Sequence, residues 1–364
     1  MRLRHALGLA VVATTAVLGL SVPAVAGPAA AATGLRAGAP ARLLTYVDPR
    51  NAVFQPGERV QVLASNETSL LNTGAHYGQG VWATFSTLPA NRPFATDTVR
   101  STAIGTTTDS VVHNVVAADN RVFIADRRMS DGRWFPWGEI TSAAAAGPLP
   151  GTPQQIAVAA MGRKLHVLAL VDGEVHQATG DWSTGAWSGW GDVSSATGLP
   201  ATTRIAAAVT GNSLHVVSLG LDDGVYVADG DYDRGSWRVG EPTAVLGLPS
   251  AVAISGLSAA AIGSKLHIVA EANDRLYQAT GDYAAGSWVG WGDLTAVTGP
   301  VGPLGQIDRL SVASVGNKLH LYALSHRRMY NATGDYDRGT WSGWGSVSNA
   351  VDAPGLTDLA VTAA

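Results

Sequence analysis

Three residue types recur along the chain at fixed spacing. The first is histidine: His113, His166, His215, His267 and His320, with Gln61 at the same place in a sixth copy. Eleven residues on come the amides Asn72, Gln177, Gln278 and Asn331; Ile124 and Val227 stand there in the remaining copies, Val227 one residue later. Ten residues further comes a tryptophan: Trp82, Trp134, Trp187, Trp237, Trp288 or Trp341. Imidazole and amide groups supply planar donors and acceptors, and an indole supplies a flat apolar face. A pyranose, with a rim of hydroxyls and one apolar face, needs both.

Other chemistries fit less well. Metal binding would require the histidines to converge on one ion at about 2 to 2.5 Å, and equivalent positions of a repeat are spread apart instead. No metal or other cofactor is expected. No serine keeps step with the histidines, and the chain has no cysteine. A glycosidase needs two carboxylates about 5 to 10 Å apart. The six glutamates, Glu58, Glu67, Glu139, Glu174, Glu241 and Glu271, occupy no special motif, and no arginine trio of the sialidase kind stands out. Asp231 and Asp233 in GDYDRG read as solvated turn residues rather than calcium ligands. The plain alternative for the histidines is a structural one, polar caps at strand ends.

The elements that must position these residues are short. The tryptophans fall 52, 53, 50, 51 and 53 residues apart, and each closes one copy of a pattern such as KLHVLALVDGEVHQATGDWSTGAWSGWGDV. IAVAAMG, KLHVLALV, EVHQATG and WSGWGDV are strand-length, and glycine- or aspartate-bearing turns separate them. Four strands per copy at this period predict an all-β fold, a six-bladed β-propeller of four-stranded antiparallel blades. Each blade packs between two neighbours, so LHVLAL can be apolar at nearly every position. Trp187 and Trp190 are three apart, which on a regular strand puts them on opposite faces and against different neighbours. The same pairing recurs at Trp134/Trp137, Trp288/Trp291 and Trp341/Trp344, with Gly240 at the second place after Trp237. The first copy lacks its opening strand, and the tail TDLAVTAA supplies one, so Leu359 to Ala363 is expected to close the ring.

In these features residues 59–364 resemble the six-bladed fucose-specific lectin superfamily. A blade of that family carries an arginine, a glutamate eleven residues on, and a Gly-Trp hairpin. The resemblance puts His166, Gln177 and Trp187 at those positions in one copy, His267, Gln278 and Trp288 in another, and His320, Asn331 and Trp341 in a third. Gln61, Asn72 and Trp82 match in a fourth, while Ile124 and Val227 remove the amide from the other two. It implies carbohydrate binding at those residues without catalysis. The hairpins ATGDWSTGAW, ATGDYAAGSW and ATGDYDRGTW also resemble Asp-boxes of sialidase-type propellers, with a longer Asp-to-Trp spacing. Such turns are structural, the carboxylate capping its own hairpin.

The start of the chain, MRLRHALGLAVVATTAVLGLSVPAVAG, has a basic end, an apolar stretch and a small-residue site at Ala24-Val25-Ala26. It reads as a secretory signal peptide over 1–26, with 32 as an alternative end, followed by a leader segment over 27–58. Within that segment, 43–58 is read as an extra strand, a rival for the closing position or a plug. The expected setting is therefore extracellular, in a bacterial style of composition. No later segment is long and apolar enough to insert stably in a membrane. The net charge of −4, or −6 without Arg2 and Arg4, with no basic run, excludes nucleic acid as a partner. Glycans or a cell-surface polysaccharide are the expected partners. A protein-binding scaffold is the alternative and a sialidase-like hydrolase the second alternative; monomer and homo-oligomer are both open.

Overall fold

The computed structural model describes residues 59–364 except 78–79, 144–147, 238–242, 245–252 and 304, together with the strands Arg36–Ala37 and Thr45–Tyr46. The signal-peptide reading, the rest of the leader and Gly240 lie outside the described residues.

Six antiparallel sheets follow one another, each built from an inner strand, two middle strands and a short outer strand. Blade 3 is representative: Gln155–Met161, Lys164–Val171, Glu174–Asp181 and Ala186–Trp187. Its turns sit where the sequence places them, with Asp172 and Gly173 both in the left-handed region. Blade 1 takes its inner strand from the end of the chain: Asp358–Ala363 pairs antiparallel with Arg59–Ser65, Val62 opposite Val361. The six inner strands then touch their neighbours in an unbroken circle. Thr45–Tyr46 adds to the outer edge of blade 1 and Arg36–Ala37 to that of blade 6, both parallel. At 45–46 the 43–58 segment is thus an extra strand rather than a rival for closure.

The buried apolar residues fall into six clusters, one for each seam between consecutive blades. At the seam of blades 5 and 6, for example, Leu276 and Val269 meet Leu319, Leu321 and Trp341. This explains the continuous apolar runs, since both faces of every blade are interior.

The paired tryptophans depart from the expectation. Trp187 and Trp190 pack into the same seam, between blades 2 and 3, and Trp288 and Trp291 share the seam of blades 4 and 5. The outer strand carries one extra residue: Thr280 faces Val289, but Gln278 faces Gly292. A bulge of this kind reverses the alternation of faces.

Side chains stitch the inner strands together around the axis. Oγ of Ser101 accepts from the Ile156 N–H at 3.2 Å, Oε1 of Gln155 from Ile205 at 2.9 Å, and Oγ of Ser258 from Val312 at 3.0 Å. Oγ of Ser311 accepts from Val361 at 3.1 Å and Oδ2 of Asp358 from Thr102 at 3.1 Å. Between blades 4 and 5, Nε of Arg204 donates to the Ser255 carbonyl at 3.3 Å instead. These bonds occupy backbone groups that the closely spaced strands cannot pair directly.

Candidate functional site

The second and third strands of each blade place the histidine, the amide and a third polar residue on one face. Cross-strand register sets His166 opposite Thr179 and Leu168 opposite Gln177. Side chains alternate along a strand, so His166, Gln177 and Thr179 all look into the seam with blade 4. Trp187 pairs instead with Gly180, on the opposite face, and lies in the seam with blade 2. The grouping of His166, Gln177 and Trp187 is therefore corrected: one blade sends them to different seams. His166 and Gln177 share theirs with Trp237, His267 and Gln278 with Trp341 rather than Trp288, and His320 and Asn331 with Trp82 rather than Trp341. Gln61 and Asn72 share theirs with Trp134, not Trp82. The signal was present in the odd spacing from the amide to the glycine beneath the indole. A Cβ on Gly281 would stand 2.7 Å from the Trp288 ring, so a side chain there would displace the indole.

The five histidines are inside the protein, none more than 1% exposed. Each lies against an aromatic side chain from the hairpin of the next blade. His113 meets Trp182, His166 meets Tyr232, His215 meets Tyr283, His267 meets Tyr336 and His320 meets Tyr77, at centroid distances of 3.9 to 4.8 Å. These hairpin aromatics, and the residue opposite each histidine, are the members that reading the sequence for histidine, amide and tryptophan passed over. They keep register in the repeat as well as the histidines do.

Two kinds of seam result. In the seams of blades 2/3 and 4/5, where Ile124 and Val227 replace the amide, an aspartate stands opposite the histidine. Nδ1 of His215 donates to Oδ1 of Asp229 at 2.6 Å, and Nε2 meets Oγ1 of Thr210 at 2.6 Å. His113 is held likewise between Asp126 and Thr107, at 2.8 and 2.9 Å. The order Thr–His–Asp is that of a hydrolase relay. Thr107 is only 2% exposed, however, and an aromatic ring covers the imidazole, leaving no approach for a substrate carbonyl.

In the seams of blades 3/4, 5/6 and 6/1 a threonine stands opposite the histidine and an amide beside it. Nε2 of Gln177 donates to Nδ1 of His166 at 3.1 Å and to Oγ1 of Thr179 at 2.5 Å, while the Tyr232 hydroxyl donates to Oε1 of Gln177 at 3.1 Å. Gln278 donates to Nδ1 of His267 at 2.8 Å and to the Tyr336 hydroxyl at 2.6 Å. The Tyr77 hydroxyl donates to Oδ1 of Asn331 at 3.2 Å. In all three, Nε2 of the histidine has no partner among the described residues. Burial, aided by a lysine two residues before each histidine, lowers His166 and His267 to about 4 and His320 to about 3, so these rings are neutral at pH 7. Burial likewise pushes the Tyr336 hydroxyl up to about 12.

The seam of blades 1/2 belongs to neither kind. Gln61 faces Gly74, and Nη1 of Arg127 from blade 2 donates to Oδ1 of Asn72 at 3.1 Å.

On the outer side of the amide seams, Thr179, Tyr232 and Trp237 are partly exposed, as are Gln278, Thr280 and Tyr336, and Thr333 and Tyr77. Trp341 and Trp82 are buried. The hairpin aspartates cap their own turns: Oδ1 of Asp282 accepts from the N–H groups of Ala284 and Ala285 at 3.0 and 3.1 Å. No group of three metal-binding side chains occurs among the described residues.

No protein-family model and no curated protein matches the chain. Solved structures do. An arginine-to-alanine triple mutant of AofleA from Arthrobotrys oligospora is 13% identical, with a TM-score of 0.58 over 91% of this chain and 97% of that one. The fungal Aleuria aurantia lectin, a six-bladed propeller with a described mode of fucose recognition, is 16% identical, with a TM-score of 0.55 over 82% and 94%. The chain has the six-bladed fold of these propellers. TolB from Acinetobacter baumannii scores 0.51 at 14% identity, over 84% of this chain and 66% of TolB. At such identities the likeness is one of fold, and a fold of this type hosts many functions.

Proposed function

We propose that the chain is a secreted, non-catalytic, multivalent carbohydrate-binding propeller whose sites are the outer ends of the three amide seams. The observation that carries this reading is a convergence across each seam. In the 3/4 and 5/6 seams an amide bonded to a threonine hydroxyl meets a tyrosine from the next blade, and in the 6/1 seam the oxygen of Asn331 meets Tyr77, each over a buried neutral imidazole. The tyrosine hydroxyl occupies a place where a sugar hydroxyl would find the same partners, and its ring gives the apolar face a surface. Three such seams on one rigid ring add avidity to sites that are individually weak. The fucose recognition of the Aleuria lectin and the shared fold lend further support. The N-terminal sequence supports export, and the covered histidines support the absence of catalysis.

A glycan array probed with the purified protein tests this. Binding to defined glycans is expected, reduced stepwise by Gln177→Ala, Gln278→Ala and Asn331→Ala. Silence across the array from a folded sample would overturn it. A second reading, a protein-binding scaffold in which the histidine and amide rows serve as fasteners between blades, is favoured by the burial of the five histidines and of Asn72, Gln177 and Asn331. It gains from that same silence.

A further inference from the structure

The axis of the ring holds a second candidate site, built from residues outside the histidine, amide and tryptophan rows. Where the inner strands begin, all six blades line a cavity of about 380 Å³, within the size range of small-molecule sites. Arg100, Arg204 and Arg309 line it from blades 2, 4 and 6, so the three guanidinium groups come from alternate blades around the ring. All three residues are exposed. Their spacing, 104 and 105 residues, is twice the repeat, which is why they are invisible to a comparison of neighbouring copies.

The carboxylates at the same mouth are already engaged. Asp358 accepts from the Thr102 hydroxyl at 2.9 Å and its N–H at 3.1 Å, and lies 3.3 Å from Nε of Arg309. Asp308 accepts from the His326 N–H at 2.8 Å and from Gln306 at 3.0 Å. Glu271 is 3% exposed and accepts from the Asp274 N–H at 2.9 Å. The arginines have donors to spare. Arg204 gives Nε to the Ser255 carbonyl, and Arg309 gives Nη1 to the Asp308 carbonyl at 2.8 Å. Arg100 makes no hydrogen bond or ion pair among the described residues. Guanidinium groups offer forked donors matched to carboxylate and phosphate oxygens.

We propose that this axial mouth binds a small oxyanion, the carboxylate of a sugar acid or a phosphate group, held between Arg100, Arg204 and Arg309. It is distinct from the seams and stands whether or not they bind sugar.

Isothermal titration of the purified protein with glucuronate, inorganic phosphate and, as a neutral control, glucose tests it. One anion per chain is expected at the axis, weakening as salt rises and not displaced by glucose; which anion binds more tightly separates the sugar-acid source from the phosphate source. Arg100→Ala should weaken binding at least tenfold in a protein of unchanged fold, because that side chain bonds nothing else among the described residues, and Arg100→Lys should recover part of it. Gln278→Ala, which tests the seams, should leave anion binding unaltered. Binding of neither anion, or wild-type affinity in both Arg100→Ala and the folded Arg100→Ala/Arg204→Ala double variant, would overturn the proposal.

Discussion

The seam of blades 4/5 and the seam of blades 5/6 solve one packing problem with different chemistry. In both, a buried histidine lies under a tyrosine from the next blade. At 4/5 the ring is locked at both nitrogens, by Asp229 and Thr210. At 5/6 one nitrogen is shared among an amide, a threonine and a tyrosine hydroxyl, and the other bonds nothing among the described residues. The difference shows two coupled positions: loss of the amide to Val227 or Ile124 goes with gain of an aspartate at 229 or 126. A carboxylate seam is a closed fastener. An amide seam holds its tyrosine through a neutral amide and leaves one imidazole nitrogen without a partner among the described residues, and that is why the binding proposal rests on it.

Four tests would break or sharpen this contrast. Among the substitutions, the largest effect is expected from Asp229→Ala, which leaves a buried imidazole and the Tyr283 hydroxyl without their shared acceptor. Loss of one member of a buried polar pair costs about 3 to 5 kcal/mol, read as a lowered urea midpoint with an unchanged m-value.

Acid should act on the amide seams. The folded-state values of His166, His267 and His320 lie below the ordinary 6.5, so the unfolded chain takes up protons first. Their contribution is complete above about pH 6.5 and is lost as pH falls toward 4, with His320 continuing toward 3. Each histidine contributes on the order of a few kcal/mol. Urea midpoints between pH 7.5 and 4.5 check it, and His267→Gln should flatten the acid slope. An unaltered slope in that variant would contradict the burial argument.

Conversion is the third test. Val227→Gln with Asp229→Thr writes an amide seam into blades 4/5. The pair should be more stable than the two single changes imply, with a coupling of about 0.5 to 3 kcal/mol in a double-mutant cycle. Additivity within error would mean that the two seam types are not alternatives. The smallest effect is expected from Thr280→Val, which removes one of several bonds around His267 and costs about 1 kcal/mol of stability.

Much of the architecture was legible in the repeat. The period of about 50 residues, the strand-length apolar runs and the missing first strand together specify six blades and their closure by the tail. What was not legible depends on facing. Trp187 and Trp190 share a seam because a bulge adds a residue that no local pattern announces. Trp187 leaves His166 because the indole lies over Gly180, on the other side of the strand from Gln177. The third member of each seam comes from the following copy, so alignment of the copies lines up residues that never meet. The three axial arginines fall in every second copy and escape any one-repeat comparison.

The most direct measurement is the stoichiometry of sugar binding. Titration with the best glycan from the array should give three sites per chain in the wild type, two in Gln278→Ala and none in the triple variant Gln177→Ala/Gln278→Ala/Asn331→Ala, with the fold retained throughout. A stoichiometry that ignores those amides, or no binding at all, would contradict the assignment of the amide seams.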